Sequence, residues 1–385
     1  MTEAVDWALA AKVASRVSGT DPLAQSYRSG TLAADVAEFT PLAQQLVEAE
    51  TGWPSTEGPA RARVVDRSGW VQANIGSFQR LLEPLLERMS KNLSGPSAVV
   101  GPKVAAAEMG VILGWMSRRV LGQYDLLVTE PGPGATGVVG RDAGPDGADP
   151  DGPAQDGAAS DRGDQDVVYL VGPNLLALER KYGFPPREFR LWVCVHELTH
   201  RAQFTGVEWL RPYFLAQVRE LLDAAEPDPA RLLTALGRLA EAIRTGTNPL
   251  NEGGLSALFA GPEQRAAMDR LAGLMSLLEG HGDIVMNRAA GDRIPSSERF
   301  HEVLSARRNA AGPAALFQKL LGMEAKMRQY EEGERFIEAV EERHGRAGLD
   351  RAFESPETVP TLTDIRDPEA WMARVKLTKR SLLRR

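Results

Sequence analysis

Apolar side chains recur every three or four positions over residues 3–17, 69–93 and 101–120, the spacing that gives a helix one buried face. The first run stops at Gly19 and Pro22, and the second contains Pro84, which predicts a kink or a division there. In the third, Ala105, Ala106, Ala107, Gly110 and Gly114 are small enough to let another helix come close. The first third of the chain therefore reads as a helical layer. Val167–Pro173, VVYLVGP, turns β-branched and aromatic and is the best strand candidate. Helical spacing returns in PPREFRLWVCVHELTHRAQF, which opens on Pro185 and Pro186 and runs to Gly206. Residues 212–278 hold amphipathic stretches broken at Pro227, Pro229, Pro249 and the Gly253–Gly254 pair. Further helices are expected over roughly 263–288 and within 314–344, and then an extended tail marked by Pro356, Pro360 and Pro368. The pattern predicts a mainly α chain, of the α+β kind with a small sheet.

Composition changes that picture at one place. Between Glu130 and Asp166 the chain is Gly, Pro, Asp and Ala with almost no large apolar residue, too little to offset the entropy of ordering, so a disordered insertion is expected. With 385 residues this divides the chain into an N-terminal helical region (1–129), the insertion (130–166), a core holding the strand and the HELTH helix (167–303), and a C-terminal helical region with its tail (304–385). A net charge of -7 argues against a nucleic-acid surface, and the basic stretch Lys376–Arg385 reads as a solvated end. No run of about 18 apolar residues predicts a membrane span. The start of the chain does not read as a secretion signal. The single cysteine, Cys194, cannot form an internal disulfide and reads as core. A cytoplasmic location is the plain expectation.

The chemistry is carried by HELTH, His196 to His200. Two histidines four apart on a helix share one face, so both imidazoles can reach one metal ion. Glu197 lies beside them, where a carboxylate can take a proton from a zinc-activated water as general base. The flanks Trp192, Val193, Val195, Leu198 and Phe204 are apolar, which predicts a buried helix whose three polar groups need partners. A catalytic zinc needs a third protein ligand. Metzincins supply a histidine through HExxHxxGxxH, but here Gln203 stands at the glycine and Gly206 at the histidine. Gluzincins supply a glutamate on a later helix, often with an aspartate four residues on, and LLEGHGDIV offers Glu279 and Asp283. Glu279 would ligate the metal, and Asp283 would accept from the outer nitrogen of a ligand histidine and fix its orientation. Gly280 and Gly282 would let this helix approach the HELTH helix. His281 is the rival ligand, but on a helix it points away from Glu279. His301 and His344 have no comparable context and read as surface or packing residues. Val167–Val171 could pair with an extended peptide as an edge strand. Tyr330, Arg328 and Lys326 are candidate oxyanion donors on a polar stripe that also suits a solvated face.

DRSGWVQANIGSF, RRVLGQYDLLV, VCVHELTHRAQF, LLEGHGDIVMN, KLLGMEAKMRQYEEGERF and PTLTDIRDPEAWMARV together resemble the actinobacterial zincin-like metallopeptidase family, described as hydrolases and linked by association to deazaflavin coenzyme biosynthesis. The resemblance implies a mainly α-helical zincin-like fold and a zinc site at His196, His200 and Glu279. It implies no established substrate, and no residue identifies a deazaflavin pocket. The resulting expectation is a gluzincin-like zinc hydrolase, a metallopeptidase or amidase, acting on a peptide or small amide. The alternative is a noncatalytic zinc-stabilised scaffold or binding protein of the same fold. Glu197 separates them, because a purely structural site has no use for a base beside the metal.

Overall fold

The computed structural model describes residues 4–20, 27–92, 97–126, 166–223, 262–309 and 323–377. The expected insertion at 130–166 and the proline- and glycine-broken stretch from Pro227 to Gly254 lie outside them, save Asp166. The mainly helical expectation holds, with one small sheet among the described residues.

Helices α1 (Trp7–Ser18), α3 (Arg67–Asn92) and α4 (Ser97–Ser117) form one layer. Pro84 lies within α3 and does not divide it. The small residues of α4 do what their size suggests. A Cβ at Gly110 would lie 2.6 Å from Ala10 O, and one at Gly114 2.5 Å from Ala14 O, so the two helices touch backbone to backbone. Ser18 and Ser117 hydrogen-bond across the end of that contact at 2.8 Å.

The sheet is the middle layer, in the order β1 (Arg61–Val65), β3 (Val167–Val171), β2 (Gly122–Tyr124). β1 runs parallel to β3 with Val64 opposite Leu170, and β2 runs antiparallel with Gly122 opposite Leu170. VVYLV is thus the central strand and not an edge. Val168 and Leu170 belong to the larger core, and Val171 to a smaller core with Trp70, Ile75 and Leu113. Burial on both faces explains why its sequence is a continuous apolar run without alternation. The edge next to the HELTH helix is β2.

The other side of the sheet carries α2 (Tyr27–Thr51), α5 (Gly172–Tyr182), α6 (Pro186–Gly206), α7 (Leu210–Asp223), α8 (Pro262–Ala290), α9 (Ser297–Asn309) and α10 (Met323–His344). The tail, read from sequence as extended, is instead helical in pieces: α11 (Arg346–Asp350), α12 (Leu362–Arg366) and α13 (Pro368–Arg374). Its prolines are compatible with this because Pro360 precedes the capping box of Thr361 and Asp364, and Pro368 opens α13 under the Asp367 cap. One buried cluster runs from Leu32 in α2 through Val195 in α6 and Leu278 in α8 to Trp371 in α13.

Helix α6 is buried almost all round and is held by charges as well as by apolar contacts. Arg190 reaches Glu179 at 2.8 and 2.9 Å and Asp35 at 2.7 Å. Arg201 holds Asp166 at 2.9 and 3.0 Å. Both guanidiniums are 2 % exposed, so their fixed geometry sets the rotation of α6 about its axis.

Candidate metal centre

That rotation turns His196 and His200 toward α8. Their Nε2 atoms lie 3.2 Å apart, and Glu279 Oε2 lies 3.5 Å from His200 Nε2 and 3.9 Å from His196 Nε2. Four donors at about 2.0–2.1 Å from a zinc stand about 3.4 Å from one another in a tetrahedron. The observed separations scatter around that edge, so these three side chains fit a tetrahedral ion with one corner left over.

The neighbours of the two imidazoles differ. Asp283 Oδ1 is 3.7 Å from His196 Nδ1, an ion-pair distance and longer than a hydrogen bond. On the other side, His200 Nδ1 meets Gln203 Oε1 at 3.0 Å. The Gln203 amide nitrogen donates to Leu278 O at 2.9 Å, and since a carbonyl oxygen cannot face another acceptor, the amide has one orientation. His200 must then carry a proton on Nδ1, which leaves Nε2 as the nitrogen that faces Glu279 and His196. The same amide nitrogen lies 3.1 Å from His281 Nδ1, making that nitrogen an acceptor. Sequence reasoning used Gln203 only to exclude metzincins. Its place three residues after His200, on the same helix face, was the signal available.

His281 does not join the cluster. It lies between Trp53 and Phe353, with ring centroids 5.2 and 5.0 Å away. Burial, helped by Arg346, His200 and Arg288, drags its imidazole down to about 3, so it is neutral. The two glycines beside it have different reasons. Gly282 faces the imidazoles, where a Cβ would lie 3.4 Å from His200 Cε1. Gly280 instead faces α10, where a Cβ would come within 2.5 Å of the Gly333 carbonyl carbon. Close approach to α10, rather than to the HELTH helix, is what position 280 requires.

Glu197 is 6 % exposed and lies on the backbone of β2: a Cβ at Gly122 would fall 2.5 Å from its Cγ. Burial pushes its carboxyl up to about 7, with His200 opposing and Glu279 adding to the shift. Burial also pulls His200 down, but the hydrogen bond and charge of Glu279, then Glu197 and Gln203, outweigh it and push the imidazole up to about 9. Cys194 is buried in the core as expected, its thiol pushed up to about 12 chiefly by burial. The side chains of Lys326, Arg328 and Tyr330 lie outside the described residues. His301, read from sequence as surface or packing, is half-buried and stands next to Asp283 and Glu334. His344 closes α10.

A mainly helical fold with a small mixed sheet, a buried HExxH helix and a carboxylate from a second helix defines the zincin-like class of metal hydrolases. The chain belongs to the zincin-like metallopeptidase family, whose model matches residues 5–372. That family implies a bound metal. The chain is also similar to the crystal structure of "a putative hydrolase with a novel fold" from Chloroflexus aurantiacus, at 25% identity and a TM-score of 0.64, over 97% of this chain and 99% of that one. Curated proteins give no match.

Proposed function

We propose that this chain is a zinc-dependent metallopeptidase or amidase in which His196, His200 and Glu279 hold the ion, Glu197 is the general base and Asp283 steadies His196. One observation carries the reading: three donor atoms from two helices meet at the spacing of a tetrahedral ion, beside a buried carboxyl on the same helix as two of them. Zinc held there supplies a Lewis acid that polarises an amide carbonyl and acidifies water. Glu197, close to neutrality, can accept the proton of an attacking water and pass it to the leaving amine nitrogen. Gln203 holds His200 by Nδ1 and so keeps Nε2 aimed inward. β2 ends the sheet and its Gly122 backbone touches Glu197, so an extended peptide laid along β2 would bring its amide beside the base.

The test is a peptide-library digest by wild type and Glu197→Gln, with metal content measured on both. The variant should keep its metal and lose hydrolysis by about 10²–10⁴-fold. Glu279→Ala should instead lose the ion from this site. Undiminished hydrolysis in Glu197→Gln would remove the proposed base.

A further inference from the structure

We infer that Asp283, His301 and Glu334 form a second site for a divalent transition cation, linked to the first through Asp283. The three residues come from α8, α9 and α10, and each offers a ligand atom within 4.8 Å of the others. Each helix is brought there by an identifiable contact. Phe300, fully buried, packs against Phe184 at 4.8 Å and Phe189 at 5.3 Å, which seats α9 and sets the next residue, His301, toward Asp283. The side-chain-free crossing at Gly280 and Gly333 presses α10 onto α8, which sets the next residue, Glu334, against the same aspartate.

The donor set is one imidazole nitrogen and two carboxylates, a mixed N/O set that suits zinc or manganese better than calcium, which takes six to eight oxygens. The donors come from three different helices, so the ligand set exists only where those helices meet. Asp283 is 3 % exposed, whereas His301 and Glu334 are half-buried, which leaves an approach from solvent. A divalent ion there would be the largest local charge and would draw both carboxylates toward it. A carboxylate has about four lone-pair sites, so Asp283 can ligate an ion and still face His196 Nδ1 at 3.7 Å. Occupancy of this second site therefore fixes the side chain that orients a residue of the first.

The experiment is metal analysis of the full chain, equilibrated with excess zinc or manganese and then freed of loose ions. Wild type should hold two ions. His301→Ala should hold one, and so should Glu334→Gln, a variant of unchanged shape that covers the case of alanine disturbing α9. Thermal melting checks that each is folded. In both, the remaining ion should disappear when Glu279→Ala is added. Wild type with one ion, kept in His301→Ala and lost in His200→Ala, would overturn this site and leave the proposed hydrolytic centre standing. One ion lost in His301→Ala but kept in His200→Ala would support this site and count against the other. Two ions undiminished by His301→Ala and Glu334→Gln would overturn the assignment.

Discussion

Gln203 shows how a single side chain can decide what an imidazole presents to its surroundings. Its amide is anchored to the Leu278 carbonyl, and the anchor keeps a proton on Nδ1 of His200, leaving Nε2 as the nitrogen that can meet a metal. Outer partners of ligand histidines are worth about 10–100-fold in metal affinity. Gln203→Leu should weaken zinc binding by about that factor in a chelator competition, with little loss of thermal stability in the ion-free protein. Gln203→Glu should not rescue it, because a carboxylate oxygen would then oppose Leu278 O. Unchanged affinity in Gln203→Leu would show that His200 needs no outer partner. At this scale the sequence was readable where chemistry and spacing coincide on one helix: the Nε2 atoms of His196 and His200 lie 3.2 Å apart, Glu279 approaches them from α8, and Asp283, four residues on, lies 3.7 Å from His196 Nδ1. His301 was not readable, since its neighbours lie 18 positions before it and 33 after it and nothing local marks it.

Among the elements, the crossing of α8 and α10 bears most on the site. A methyl group at Gly333 would overlap the Ser276 carbonyl, so Gly333→Ala has to push the helices apart. Overpacking of this kind costs typically about 1–3 kcal/mol. The variant should melt lower by calorimetry and, because α8 carries Glu279, should also bind zinc more weakly. A drop in stability with unchanged zinc affinity would separate the crossing from the centre. The long periodic helices and the apolar strand were legible from their patterns. Helix α2 was also available, through Leu32, Val36, Phe39, Ala43 and Val47 at helical spacing, but its many alanines and Pro41 blur the stripe. β1 and β2 were not legible, because RARVV and GQY are short and gain their strand character only by pairing with β3. The mistaken edge role for β3 has the same origin: an apolar run does not say whether a strand is paired on one side or two.

For the molecule as a whole, the buried ionisable groups set a pH dependence with a definite sign. In the ion-free protein Glu197 is raised from 4.5 to about 7 and His200 from 6.5 to about 9. Both bind protons more tightly folded than unfolded. The stability each contributes is full below its unfolded value and is lost as pH rises, through 7 for Glu197 and through 9 for His200. His281, lowered from 6.5 to about 3, acts oppositely: its contribution is full above 6.5 and lost as pH falls through 3. Metal ligation needs neutral imidazoles and ionised carboxylates. The rise in melting temperature produced by zinc should therefore grow between about pH 6 and pH 9, measured by calorimetry with and without the ion. A zinc effect that is flat or shrinks over that range would mean that these groups do not bind it.

His200 and Glu279 are 79 positions apart (279 − 200), so the centre gathers one helix and a far later one. During refolding, α6 alone could offer an ion two imidazoles and only a loose grip. The third donor arrives when the two ends of the intervening chain are brought together, at an entropic cost that grows only slowly with the length between them. An ion added to the unfolded chain should consequently leave the early folding rate untouched and slow unfolding at its first step, acting as a latch on the finished molecule and not as a seed for it.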